Sequence, residues 1–314
     1  MPLRRYRFIQ LDVFTDQLFG GNQLAVFPDA DGLADAEMQA IAREMNYSET
    51  TFVVPASDPT ALCRVRIFTP AVELPLAGHP VVGTAFALSY EGRVVSTDDG
   101  AERPTGVRFQ LGVGTLPVEV VFAEGRARFA WMHQPVPTFQ AWTGDWARLA
   151  AALGLNSADI DAERLPLERG SAGVPFVYVP IATLDAIGRA SPAPELATIL
   201  AASECHGASL FTFEAQDPSA TAHVRVFVPV LGIDEDAATG AAAGPFGAYL
   251  FRHGRIAPDS SGRAQARIEQ GIEMGRPSRL EVVVAGAADA IQDVRVGGQA
   301  VVVATGELLL DPTP

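Results

Sequence analysis

The chain has 314 residues, of which 48% are hydrophobic and 19% charged, and its formal net charge is −14. That length and apolarity give one large or two modest domains with a sizeable core, which excludes a disordered polypeptide. The negative charge repels nucleic acid and anionic membranes, and no apolar run reaches membrane-spanning length, so neither is expected as a partner.

Taken in order, residues 1–7 are basic but lead into no apolar segment, so no signal peptide is read there. Residues 6–14 alternate and predict a strand; Gly20, Gly21 and Asn22 follow as a loop, and 23–27 as a second strand. Met38, Ile41, Ala42 and Met45 recur at helical spacing and predict a helix over 35–46. The segment 50–54 is β-rich, as is 65–69, which Pro70 stops. Gly78 and His79 then open an apolar helix that runs to about Tyr90, with Pro80 in its first turn and Gly92 past its end. Residues 96–105 are polar and predict an exposed loop. Strands follow at 107–111, 116–123 and 126–133. Pro135 and Pro137 start a linker into a helix over 145–153. A buried strand is expected at 176–179, a helix at 194–202 and a strand at 209–214. The last third predicts strands at 266–270, 279–284, 294–296 and 299–305, with a turn-rich loop over 258–263. Cys63 and Cys205 stand alone and far apart, which fits the reduced thiols of a cytoplasmic protein better than a disulfide scaffold or a metal site.

One sentence of this chain is written twice. Arg66-Ile67-Phe68-Thr69-Pro70 matches Arg225-Val226-Phe227-Val228-Pro229 at an offset of 159, and Gly78 meets Gly240 at an offset of 162. Each copy is a strand, a connector and a glycine-started apolar helix. Two copies are too few for a solenoid. They predict two similar α+β lobes related by a pseudo-two-fold axis, each a sheet wrapped around a helix, with no Rossmann rhythm. Helix starts of this kind carry unpartnered N–H donors and partial positive charge, which suits an anionic group.

Three places offer chemistry. Glu49 sits between a polar turn and an otherwise apolar or Thr-rich strand. It is either an edge or capping carboxylate, or a partly desolvated general acid/base whose pKa burial raises toward neutrality. His79, beside Gly78 at a helix start, either packs there or binds substrate and moves a proton, its ordinary pKa lying near neutrality. Asp234, Glu235 and Asp236 precede Thr239 and Gly240. One of them suffices to cap the helix; another is free to pair with His79 or to hold a substrate amine. No metal-ligand spacing, nucleophile elbow or phosphate loop is present, and no cofactor is expected.

At these residues the chain resembles the PhzF-type phenazine biosynthesis proteins. The likeness rests on Asn46-Tyr47-Ser48-Glu49-Thr50-Thr51-Phe52-Val53, on Ala77-Gly78-His79-Pro80 and on Glu235-Asp236-Ala237-Ala238-Thr239-Gly240. Further likeness runs through Met132-His133-Gln134-Pro135, Arg252-His253-Gly254 and Gly275-Arg276-Pro277-Ser278. The resemblance implies the diaminopimelate epimerase fold: two pseudo-symmetric lobes, each a barrel-like, mostly antiparallel sheet around a central helix. The lobes would cover 1–116, which a last strand over 300–314 can rejoin, and 117–299, with the active site in the cleft between them. It implies a homodimer. It also implies that Glu49 takes a proton from one ring carbon of a cyclohexadiene amino acid and returns it at another. His79 and Asp236 would hold the substrate and help the proton move. Ser48, Gly78, Thr239, Gly240 and Ala241 would form the binding set around its carboxylate. Related epimerases start the paired helices with cysteines, but the matching residues here are Ala77 and Thr239, which disfavours a two-thiol racemisation. Where phenazine enzymes carry Ser after Thr-Gly, this chain has Ala241, which leaves the exact substrate open.

Three functions therefore stand. The first is an isomerase that moves a proton on a small cyclic amino or carboxylic acid. The second is an amino-acid epimerase with two opposed bases. The third is a non-catalytic protein that binds such an acid.

Overall fold

The structure is a computed structural model that describes residues 3–96 and 104–312. Most of the polar segment expected as a loop over 96–105 lies outside the described residues.

The first half forms β1 (Arg4–Val13), β2 (Asn22–Phe27), α1 (Asp35–Met45), β3 (Glu49–Val54), β4 (Cys63–Phe68), β5 (Glu73–Leu74) and α2 (Gly78–Tyr90). Next come β6 (Thr105–Leu111), β7 (Gly114–Ala123), β8 (Arg126–Gln134), β9 (Thr138–Ala141), α3 (Trp146–Ala152), β10 (Glu168–Ser171) and β11 (Pro175–Pro180). The rest is α4 (Leu184–Arg189), α5 (Glu195–Ala202), β12 (Gly207–Thr212), β13 (Ala222–Val228), β14 (Ile233–Asp236), α6 (Gly240–Arg252), β15 (Arg263–Gln270), β16 (Ser278–Ala287), β17 (Ala290–Gly298) and β18 (Ala300–Leu310). The chain is thus α+β. It divides into two compact units, Met1–Met132 with Gly297–Pro314, and His133–Val296. Residue 116, the boundary read from the sequence, lies inside β7, and the first unit runs past it to Met132.

In the first unit β18 pairs antiparallel with β1 and β1 antiparallel with β2, while β2 pairs parallel with β3. β3 and β4 are antiparallel, β5 adds antiparallel to β4, β4 and β6 are parallel, and β6 and β7 antiparallel. The second unit repeats this pattern with different strands. β9, β10 and β11 pair antiparallel in turn, and β11 pairs parallel with β12. β12 and β13 are antiparallel, β14 adds antiparallel to β13, β13 and β15 are parallel, and β15 and β16 antiparallel. The two-copy sentence seen in the sequence is therefore one part of a longer structural repeat. It reaches seven strands and one short added strand per unit, in the same order and sense.

Each unit wraps its sheet against one apolar helix. In α2 every residue from Gly78 to Leu88 is buried, and in α6 every residue from Gly240 to Phe251. A helix apolar on all sides can persist only where no side meets water. α1 ends where Asn46 turns left-handed at φ 52°, its N–H still reaching the Ala42 carbonyl, a cap for which asparagine is suited. In the first unit Phe27 stacks on Phe52 at 5.1 Å and Phe68 meets Phe52 edge-on at 5.5 Å. In the second unit Leu149, Val177, Leu196 and Phe227 belong to one buried cluster that joins α3, β11, α5 and β13.

Several elements were not visible in the sequence. The stretch around Pro135 and Pro137, read as a linker, contains β9, and β10 follows the helix. β10 is the short Glu168-Arg169-Gly170-Ser171, which carries no alternation. It is a strand because β9 and β11 hydrogen-bond its backbone on both sides. α4 has six residues including Gly188, too few for a periodic signal; the Thr183 hydroxyl accepts from the Ala186 N–H to start it. β14 was read as an acidic run before a helix and is instead a strand.

α2 can lie this close to the sheet only because Gly83 has no side chain. A Cβ there would sit 2.5 Å from Leu24 Cδ2 and 2.7 Å from Val13 Cγ2. Gly83→Val should destabilise the protein by about 2–3 kcal/mol in chemical denaturation, the usual cost of overpacking a core. A change under about 0.5 kcal/mol, the range of a surface substitution, would contradict this packing.

Candidate active site

In the first unit, three strand and helix starts converge. The left-handed Asn46 ends α1, and Tyr47 and Ser48 carry the chain to Glu49, the first residue of β3, where it pairs opposite Leu24 of β2. Glu49 is 7% exposed and His79, the second residue of α2, is 2% exposed. His79 Nε2 lies 3.4 Å from Glu49 Oε2. Asn22, the first residue of β2, joins the group. Its Nδ2 is 3.3 Å from His79 Nδ1, and its Oδ1 accepts from the Ser48 hydroxyl at 2.9 Å. Gly21 precedes it at φ +61°, and a Cβ there would press on the Val13 carbonyl, so only glycine lets the chain turn into β2 at this point.

Burial drives the His79 imidazole down to about 3 from its ordinary 6.5, against a smaller opposing pull from the Gln23 backbone. The expectation that His79 titrates near neutrality, which rested on the free side chain, is corrected by its full enclosure. At neutral pH the ring is uncharged. It can donate or accept a hydrogen bond at Glu49 but does not serve as a cation.

In the second unit the three acids separate. Asp234 is exposed, Glu235 is engaged by Arg225 through two hydrogen bonds of 2.8 Å, and Asp236 is 6% exposed. No side chain caps the start of α6. The Thr239 hydroxyl instead donates to Asp236 Oδ2 at 2.6 Å. Gln270, at the end of β15, braces the turn: Nε2 donates to the Asp236 carbonyl at 2.7 Å and to Thr239 Oγ1 at 3.0 Å, while Oε1 accepts from the Thr239 N–H at 3.2 Å. The Ser278 hydroxyl donates to the Ala237 carbonyl at 2.9 Å, and Gln134 Nε2 to the Gly240 carbonyl at 2.9 Å. Ala241 is the buried second residue of α6.

The structure thus groups Ser48, Glu49 and His79 in one unit, with Gly78 starting their helix, and Asp236, Thr239, Gly240 and Ala241 in the other. Sequence reasoning missed Asn22, Gln134 and Gln270. For Asn22 the signal was a double glycine set just before a strand. Gln134 lay within the Met132-His133-Gln134-Pro135 block without a role assigned to it, and Gln270 left no signal, because an amide at a strand end reads as polar surface. Cys63 and Cys205 are both buried and free, and burial pushes both thiols up to about 11, so neither is a ready nucleophile. Among the described residues no cluster of His, Cys, Asp or Glu could hold a metal ion, and no helix is long and apolar enough to cross a membrane.

Each unit thus has a buried carboxylate close to the start of a buried helix that no side chain caps. Comparison with known proteins names the family. Residues 11–306 match the family described as phenazine biosynthesis-like protein, PhzC-PhzF. An uncharacterized isomerase of Mesorhizobium japonicum is 38% identical over 99% of this chain and 100% of its own. The trans-2,3-dihydro-3-hydroxyanthranilate isomerase of Pseudomonas aeruginosa is 36% identical over 97% of this chain and 100% of its own. The crystal structure of a PhzF-family phenazine biosynthesis protein from Bacillus anthracis superposes with a TM-score of 0.85 at 31% identity, covering 98% of this chain and 100% of that one. The chain belongs to the PhzF family.

The neutral imidazole has a measurable consequence. Its pKa is depressed on folding, so between pH 6.5 and about 3 the unfolded chain binds a proton that the folded chain refuses. Stability should therefore fall as pH drops below 6.5, with no such contribution above it, and His79→Asn should flatten that fall. Ring NMR signals assigned with this variant should show no His79 titration between pH 5 and 8; a midpoint near 6.5 would contradict the enclosure.

Proposed function

We propose that this protein, an isomerase of the PhzF type, moves a proton between two carbons of a small cyclic amino or carboxylic acid, with Glu49 as general acid and base. The observation that carries the reading is the buried Glu49 carboxyl 3.4 Å from a buried, neutral His79. With the imidazole uncharged, the carboxyl is the member of the pair left to carry the proton.

The relatives named as trans-2,3-dihydro-3-hydroxyanthranilate isomerases supply the substrate class, a ring amino acid with two double bonds. The Glu49 carboxylate takes a ring C–H proton, and the electron pair left behind enters the neighbouring double bonds. The carboxylic acid then returns the proton at another ring carbon. Atoms and electrons balance within substrate and enzyme. The same reading gives His79 and Asp236 the task of holding the substrate and easing the transfer. Ser48, Gly78, Thr239, Gly240 and Ala241 serve its carboxylate. The uncapped starts of α2 and α6 support that assignment, because the first N–H groups of a helix suit an anionic group. Ala241 offers no hydroxyl, so backbone donors carry this part of the binding.

The epimerase reading is weaker. Ala77 and Thr239 precede the two helices where that chemistry would need thiols, and the two thiols present are buried elsewhere. The isomerase reading also carries a cytoplasmic location and a homodimer; light scattering checks the latter, with a monomer counting against it.

Glu49→Gln keeps the shape of the side chain and removes the proton carrier. It should lower kcat by about 10²–10⁴-fold, the usual worth of a positioned acid/base, while ligand affinity changes by only a few-fold. Turnover retained in this variant on a dihydro-hydroxyanthranilate-type substrate would remove Glu49 from the role.

A further inference from the structure

The residue that anchors the internal repeat has no part in the chemistry above. Arg66 on β4 and Arg225 on β13 occupy the same place in the two copies, and each makes the same two-pronged carboxylate contact and the same ring contact. Arg66 Nε and Nη2 donate to the two carboxylate oxygens of Glu73 at 2.8 and 2.6 Å. Arg225 Nε and Nη2 donate to those of Glu235 at 2.8 and 2.8 Å. Each guanidinium also lies over the phenylalanine two residues on, Arg66 over Phe68 at 5.1 Å and Arg225 over Phe227 at 5.0 Å. The third nitrogen reaches the helix that crosses from one parallel strand to the next. Arg66 Nη1 donates to Asp35, the first residue of α1, at 2.5 Å, and Arg225 Nη1 to the Ile187 and Ala190 carbonyls at the end of α4 at 3.0 and 2.8 Å.

The carboxylate partner is placed alike as well. Glu73 and Glu235 each stand five residues before the glycine that begins the buried helix, Gly78 or Gly240. The register agrees: Ile67 faces Leu74 in the first unit, and Val226 faces Asp236 in the second. Successive strand residues point to opposite faces. Clamping Glu235 from one side of β14 therefore fixes which way Asp236 leaves the other.

We propose that these two bidentate forks are positioning devices for the catalytic turns. Arg225–Glu235 sets Asp236 and the start of α6, and Arg66–Glu73 sets the Gly78–His79 turn at the start of α2. The proposal rests on the reading that Asp236 and His79 serve the reaction. A point charge would hold strand to strand; the two-pronged geometry and the stacked ring fix orientation in addition, which lysine cannot reproduce. The second fork is also enclosed, with the Arg225 and Glu235 side chains 8% and 16% exposed, whereas Glu73 of the first is 39% exposed, so solvent loosens the second less.

The test uses Arg225→Lys and the paired replacement Arg225→Met with Glu235→Met. The latter removes both charges of the fork and so avoids the unpaired buried carboxylate that losing Arg225 alone would leave; the Ile187 and Ala190 carbonyls lose their donor, and Glu273 keeps His223 as its partner. Amide hydrogen exchange read by mass spectrometry needs no substrate. The segment 236–242 should exchange about tenfold faster or more in both variants, while 278–287 on β16 stays as in the wild type. Arg66→Met with Glu73→Met should do the same for 76–82. With a turned-over substrate, kcat per folded enzyme should fall about tenfold or more with KM within a few-fold, as expected when a positioned group is misplaced. Unchanged exchange over 236–242 would overturn the proposal, as would equal loosening of both segments, or kcat within twofold of wild type. An active Glu49→Gln in the same assay would instead strike the catalytic reading and leave the exchange result standing.

Discussion

Burying a carboxyl is costly unless a polar group stands beside it. Glu49 is buried with its Oε2 3.4 Å from His79 Nε2, and much of the first unit is arranged around that contact. The turn after α1 brings Glu49 to the head of β3. Asn22, at the head of β2, ties Ser48 to the imidazole. The helix that carries His79 is apolar on every side, so its start can be held deep in the unit. Because the ring is enclosed and neutral, the two do not form an ordinary ion pair.

The internal repeat supplies two copies of one scaffold but not two copies of one site. Strand order and sense agree throughout, and so do the arginine forks. The chemistry differs by position. The acid of the first unit stands at the start of β3, whose counterpart in the second unit starts with Gly207. The acid of the second unit ends β14, where the first unit has the buried Leu74. The two frames are alike, and different residues at single strand positions make them chemically distinct. The two helix starts diverge in the same way. His79 follows the glycine of α2, whereas Thr239 precedes the glycine of α6 and spends its hydroxyl on Asp236.

What could be read from the chain alone follows from where the physics is local. The Arg66 and Arg225 repeats, the glycine-started helices and the Met38–Met45 periodicity are contiguous patterns, and each gave its element. The motif blocks around Glu49, Gly78 and Thr239 carried the family. Elements held by distant partners stayed hidden. β10 is a strand because β9 and β11 flank it, not because of its own residues. The acidic run was split between solvent, Arg225 and a buried turn by tertiary contacts that no window of sequence contains. Gln270 braces a turn 31 positions away, and its role is written in three hydrogen bonds and nowhere in its surroundings in the chain. The ordinary pKa of histidine misled for a similar reason, since the shift is made by burial.

A single carboxyl that removes and returns the same hydrogen leaves an isotopic trace. A substrate deuterated at the reacting ring carbon and converted in ordinary water, with product read by NMR and mass spectrometry during the first turnovers, follows that hydrogen directly. The account predicts that a measurable share of product carries the deuterium at the new carbon, delivered to the same face of the ring. Complete loss of the label from the first turnover, with solvent hydrogen arriving on the opposite face, would mean two separate bases and would contradict it.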